Sequence, residues 1–295
     1  MVDNKSFSRQ IENMAIRSLL YEVSASPKPG LVDRHNNGAH NDMDFFTFID
    51  SSTILGETFY ECTLMAIEED YPIEGLLNII RPIGIKGEKN MFYMTKDVNT
   101  HKGLIFSLGI ICAACGFLYK RKESITAENI CAKVEKMTKN IVNKELMNKK
   151  DLTPSTYGEK LYLKYGTTGI RGEVASGFET VRKYALPSLK EMMEKKNLCK
   201  NDIFVHVLIN LMANTEDSNI LGRHNKEVLK VVQNRAKSIL EIGGMNTVRG
   251  REEIKVFDKW CIENWVSPGG SADLLAVSIM LYLLEDFNEK RKYLK

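Results

Sequence analysis

The sequence predicts an all-α protein, a single multi-helical domain of roughly ten helices with ligand loops at helix N-termini. Three observations carry that expectation. Apolar residues recur at spacings of three and four along most of the chain, and no stretch alternates apolar and polar residues as a half-buried strand would. The chain has 295 residues, 43% hydrophobic and 27% charged, enough to bury one large core.

The first element places Ile11, Met14, Ala15, Leu19 and Val23 on one side of a helix. Ser26-Pro27-Lys28-Pro29-Gly30 stops it, because proline cannot donate to the helix ladder and glycine favours a turn, and a polar loop follows through Met43. Helical stretches are then expected at 44–69, 72–80, 104–120, 126–146, 155–164, 173–185, 202–213, 226–242, 251–264 and 272–287. The longest uncharged run, 103–119, carries three glycines and falls short of the ~20 residues of a membrane-spanning helix, so it reads as a buried helix. The Lys- and Asn-rich stretch 140–152 is short and helical on both sides, so residues 1–295 read as one domain. No repeat of solenoid period is visible.

Composition excludes several classes. A net charge of +3, evenly spread, argues against a nucleic-acid or membrane surface on electrostatic grounds. The first fourteen residues contain no apolar core of signal-peptide length, so a cytoplasmic protein is expected. Six scattered cysteines form no disulfide framework. Cys112 and Cys115 make a CxxC inside the apolar run and read as core residues rather than zinc or redox ligands.

Chemistry gathers where apolar helices begin. Val98-Asn99-Thr100-His101-Lys102-Gly103, Tyr165-Gly-Thr-Thr-Gly-Ile-Arg-Gly-Glu173 and Ser267-Pro-Gly-Gly-Ser-Ala-Asp273 each combine glycines with polar or basic residues at a helix entry. Any one of them alone is an ordinary helix cap. Lys102 and Arg171, however, oppose the helix dipole unless an anion is present, which favours a phosphate-bearing ligand. Asn99, His101, Lys102, Gly169, Arg171, Gly172, Gly269, Gly270 and Ser271, with Lys28, are the candidate phosphate or nucleotide contacts. Carboxylates cluster separately at Asp33, Asp42 and Asp44, at Glu216-Asp217 and at Asp273. Such hard oxygen donors suit Mg²⁺ held partly by substrate phosphates, although Asp42 or Asp44 could equally cap the next helix and Glu216-Asp217 could be a solvated turn. His35, His40 and His101 lie in polar loops, whereas His206 sits mid-helix among apolar neighbours and reads as a core residue.

Lys28-Pro-Gly-Leu-Val-Asp33, Asn37-Gly-Ala-His-Asn-Asp-Met43, Asn99-Thr-His-Lys-Gly103, Tyr165 to Glu173 and Pro268-Gly-Gly-Ser-Ala-Asp-Leu-Leu275 together resemble the triphosphoribosyl-dephospho-coenzyme A synthase family, over residues 10–287. One departure is Arg223-His224-Asn225, where Arg-Gly-Gly is expected, which bears on any backbone contact to ligand at that turn. The resemblance implies attack of the ribose 2′-hydroxyl of 3′-dephospho-coenzyme A on the anomeric carbon of ATP, with loss of adenine. It also implies a separate transferase that passes the product to an acyl carrier protein, as in citrate lyase or malonate decarboxylase. Under that chemistry Asp42, Asp44 and His40 are the catalytic candidates, with Asp42 or Asp44 as base, and Asp33, Glu216, Asp217 and Asp273 are the Mg²⁺ candidates. A Mg²⁺-dependent ribosyl or phosphate-ester hydrolase and a non-catalytic nucleotide-binding protein are the competing readings. Apolar helix faces suit either a core or a homodimer.

Overall fold

Helix α1 (Asn4–Ser24) begins where Asp3 accepts from the Ser6 amide, and it buries Phe7, Ile11, Met14, Ala15, Leu19 and Val23. The three- and four-residue spacing therefore reports the core-facing side. This computed structural model describes residues 3–147, 154 and 156–293, with side chains through 289. Among the described residues every regular element is helical. Residues 148–152 of the Lys- and Asn-rich connection and residue 155, the expected start of the 155–164 helix, lie outside the described residues.

The uncharged run becomes α5 (Lys102–Lys120), the central helix, with Leu104, Leu108, Ile111, Cys112, Cys115 and Leu118 at its buried positions. It is long and apolar enough to cross a membrane, at a mean hydropathy of 1.8, yet 78% of that stretch is buried inside the protein. It packs on α1, on α3 (Gly56–Glu68), α4 (Ile73–Met94), α6 (Ala127–Thr138) and the last helix, α15 (Gly269–Tyr293). Cys112 and Cys115 are free thiols in this core, and burial pushes both well up from the ordinary thiol value.

Several expected helices differ in extent. The stretch 44–69 divides at Leu55 into α2 (Phe45–Ile54) and α3. Leu55 itself is fully buried, and Gly56 lies so close to Glu12 that a Cβ would sit 2.6 Å from its carboxylate. The helix expected to stop at Ile80 continues through Pro82 to Met94, because Leu76, Leu77, Ile80 and Met91 bury one face. Tertiary burial there outweighs the one ladder bond that proline removes. Thr138, whose hydroxyl bonds the carbonyls of Val134 and Val174, precedes the break between α6 and α7 (Ile141–Glu145). The stretch 173–185 resolves into α9 (Gly169–Ala175), a π-helical turn (Val181–Ala185) and α10 (Leu186–Met193), broken where Gly177 and Phe178 take positive φ.

The remaining helices are α8 (Tyr157–Tyr165), α11 (Lys200–Asn214), α12 (Ser218–Arg223), α13 (Lys226–Glu241) and α14 (Val248–Glu263). Short α12 was not expected. One continuous buried cluster joins α1 to α15, and the glycine-bearing entries of α5, α9 and α15 all open onto one cleft.

Candidate active site

That cleft has a volume of about 1160 Å³. Lys28, His40 and Asp42 line it from the first polar loop, and Asn99, His101 and Lys102 from the entry of α5. Gly169, Arg171 and Gly172 contribute from α9, and Glu216, Gly269, Gly270 and Asp273 from the far wall. Asp33, Asp44, Asp217 and Ser271 are not among its lining residues.

At its floor the Lys28 ammonium contacts Glu22 of α1, and each residue is 2% exposed. Burial raises the Glu22 carboxyl while Lys28 pulls it down. Sequence reasoning passed over Glu22, although its position three residues after Leu19 puts it on the buried stripe of α1, where an unpaired carboxylate would be costly. Asp33 organises the loop above this pair. It accepts from the amides of Lys28 at 3.0 Å, His35 at 2.7 Å and Asn36 at 3.2 Å. Gly30 is required in the same loop, since at φ +72° its Cβ would lie 2.0 Å from the Val266 carbonyl.

The Asp273 carboxyl has no hydrogen bond or ion pair with any described residue. Its Oδ2 lies against Gly103 at the start of α5, where a Cβ would come within 2.2 Å. Burial, then the charges of Glu22 and Asp217, hold this carboxyl well above the usual range. Asp217 is different, because its oxygens are filled. It accepts from the amides of Asn219, Ile220, Gly270 and Ser271 and from the Ser271 hydroxyl, so it caps α12 and clasps the entry of α15. Glu216, expected with Asp217 either as a Mg²⁺ ligand or in a solvated turn, is exposed at the cleft. Among the described residues no group of three His, Cys, Asp or Glu is placed to hold a metal by itself.

His101 is buried, with Nδ1 2.7 Å from the Ser51 hydroxyl, and its Nε2 has no partner among the described residues. Burial and Lys28 lower its pKa to about 3, so the ring is neutral. His40 has both nitrogens engaged: Arg223 donates to Nδ1 at 3.3 Å, which leaves the proton on Nε2 facing Ser267 Oγ at 2.9 Å. Burial and Arg223 lower it to about 4. Asp42 stands 3.7 Å from His40 and is exposed, whereas Asp44 is fixed in a capping box with Thr47.

The basic residues are not bare. Lys102 pairs with Glu88, and Asn99 accepts from the Lys102 amide at 3.2 Å. Arg171 donates through Nε to Glu145 at 2.7 Å, leaving the end of its fork for a ligand. At the departure from the expected Arg-Gly-Gly, Asn225 caps α13 and His224 contacts the Trp265 carbonyl, so side chains close that turn. Arg223 donates to the Ala39 carbonyl and lines the cleft, a contact the sequence did not suggest.

Residues 8–292 match the CitG family, ATP:dephospho-CoA triphosphoribosyl transferase. The chain belongs to this family. A Vibrio cholerae protein named "Probable 2-(5''-triphosphoribosyl)-3'-dephosphocoenzyme-A synthase" is 40% identical over 280 residues, covering 95% of this chain and 89% of its own. A Malonomonas rubra protein with the same name is 38% identical, covering 97% and 90%. One from Pectobacterium atrosepticum, named "2-(5''-triphosphoribosyl)-3'-dephosphocoenzyme-A synthase", is 39% identical, covering 92% and 88%. No solved structure matches the chain. The segments that carried the resemblance to the CitG family are those that meet at the cleft.

Proposed function

We propose that this chain joins the triphosphoribosyl group of ATP to the ribose 2′-hydroxyl of 3′-dephospho-coenzyme A and releases adenine. The observation that carries the reading is the convergence of glycine-bearing helix entries, basic side chains and buried carboxyls on one cleft. Its volume of about 1160 Å³ exceeds the ~300–1,000 Å³ of a site for one small molecule, as a two-substrate reaction needs.

In this reading Arg171, Lys102 and the entry of α5, which has no side-chain cap from His101, hold the triphosphate without cleaving it. His101 Nε2 gains a partner from substrate. As the glycosidic bond lengthens, positive charge on the ribose is stabilised by carboxylates of the cleft wall. Asp42 takes the proton from the attacking hydroxyl, while Asp44 keeps its capping role. His40, neutral and held at both nitrogens, orients the Asp42 loop against Arg223 and Ser267.

Mg²⁺ fits the residues present. The charges of Glu22 and Asp217 both bear on Asp273, so a cation beside it would balance them and draw the proton from its carboxyl. Asp273, with Glu216, would hold the ion, most of whose ligands would be water and phosphate. It would supply charge neutralisation along the triphosphate. Asp33 and Asp217 have their oxygens taken by backbone donors. The continuous core supports treating 1–295 as one domain. In this reading the protein works in the cytoplasm, alone or as a homodimer, and hands its product to a separate transferase acting on an acyl carrier protein.

Chromatography of protein, ATP, Mg²⁺ and dephospho-coenzyme A tests the proposal. Adenine and a heavier coenzyme A derivative should rise together and require both substrates. Free ribose triphosphate or inorganic phosphate instead would support the hydrolase reading and overturn this one.

A further inference from the structure

Glu173 of α9 lines the cleft beside Ser176, Glu179 and Thr180. The Thr180 hydroxyl donates to its Oε1 at 2.5 Å. Its Oε2 is buried with no hydrogen-bond partner among the described residues. An ionised carboxylate with one dry, unpartnered oxygen is unfavourable, whereas a proton on Oε2 leaves Oε1 free to accept from Thr180. Burial acts in the same direction, raising this carboxyl, and the nearby Glu179 adds to it.

A protonated carboxyl held at one oxygen is a donor and an acceptor side by side. The imidazole edge of adenine offers the complement, an acceptor at N7 next to a donor at the 6-amino group. We propose that Glu173 recognises the adenine of ATP through this edge, Oε2–H donating to N7 and Oε1 accepting from the 6-amino group, and protonates the base as it leaves.

The proposal rests on the triphosphoribosyl-transfer reading and adds the acid that it lacked. The C1′–N9 bond breaks with its electron pair going to the purine, the Glu173 proton moves to N7, and neutral adenine departs. The C1′–O2′ bond forms from the ribose hydroxyl, whose proton passes to Asp42 and then to solvent, and solvent reprotonates Glu173. Guanine presents two acceptors on the same edge, so GTP would set O6 against Oε1.

Glu173→Gln provides the test, because an amide keeps the donor and acceptor but cannot release a proton. The KM for ATP should change by less than about threefold while kcat falls on the order of 10²- to 10⁴-fold. With a 4-nitrophenyl glycoside of ribose 5-triphosphate, whose leaving group needs no proton, the variant should run within a few-fold of wild type. A purely structural role would slow both donors alike and would overturn the proposal, as would unchanged kcat with ATP. Should the variant fold poorly, wild-type protein with 7-deaza-ATP decides: binding without base release is expected, and turnover at the ATP rate refutes the role. No adenine from wild type with ATP and dephospho-coenzyme A refutes the underlying transfer reading and this role with it. Adenine from wild type together with undiminished Glu173→Gln refutes the role of Glu173 alone.

Discussion

A carboxylate serves as a base only where its lone pairs are free, and Asp42 and Asp44 differ in that respect. Asp44 accepts from the Thr47 amide and hydroxyl, and those bonds pull its pKa down. Asp42 lines the cleft. Asp42→Asn should therefore lower kcat by about 10²-fold or more with stability unchanged. Asp44→Asn should cost no more than about 1 kcal/mol of stability, since asparagine also caps helices, and should leave turnover intact. Adenine release and urea unfolding on both variants separate the two roles, and full activity in Asp42→Asn would remove the base from this loop. Histidines give a second prediction at this scale. His40 and His206 are lowered to about 4 and His101 to about 3, each chiefly by burial. Unfolded histidine titrates near ~6.5, so as pH falls below that value the unfolded chain takes up protons first. The stability these rings confer is complete above pH ~6.5 and is lost progressively toward their folded values. Asp217, Asp258 and Glu22, raised mainly by burial, contribute with the opposite sign, but they are common to wild type and a histidine variant. Replacing His101 by Asn should flatten the acid loss by up to one proton, read from urea unfolding across that range. An unchanged slope would show that the ring is not held neutral.

Asp217 acts on elements rather than on substrate, because its carboxylate joins the starts of α12 and α15. Losing a cap costs about 1 kcal/mol, and hydrogen bonds to a charged group are worth about 1.5–3 kcal/mol, so Asp217→Ala should destabilise the protein by about 3 kcal/mol or more. The Mg²⁺ concentration that half-activates the remaining folded enzyme should stay where it was. A shift in that concentration without loss of stability would make Asp217 a metal ligand instead. The junction also shows where sequence is informative about elements. The apolar stripe of α1 and the uncharged run of α5 reported their buried faces directly, because local period and tertiary burial agree there. Breaks at Leu55 and Gly177, and the passage of α4 through Pro82, were hidden because packing against distant helices decides them. Short α12 was hidden for the same reason, since three of the five hydrogen bonds to its capping residue arrive from the start of α15, some fifty residues later.

The cleft exists only in the assembled molecule, which limited what its residues could reveal one at a time. Glycine and basic residues in several segments pointed to a common cleft, because those types serve similar ends whatever their partners, and the segments that hold them do meet there. Glu22 and Asp33 were harder to place from sequence, because a carboxylate's role depends on whether a cation, a backbone amide or nothing faces it. The size of the assembled cleft leads to a prediction about the whole protein. With room for both substrates, a non-cleavable C-nucleoside analogue of ATP and dephospho-coenzyme A should bind together. Each ligand at a hundred times its Kd should stabilise the native state by about 2.7 kcal/mol, with independent sites giving the sum when both are present. Thermal unfolding with each ligand alone and with both together reads this directly. A combined shift no larger than the better single one would mean that the two compete for one subsite. Direct transfer from one ribose to the other would then be impossible in a single cleft, and a hydrolytic or stepwise route would have to replace it.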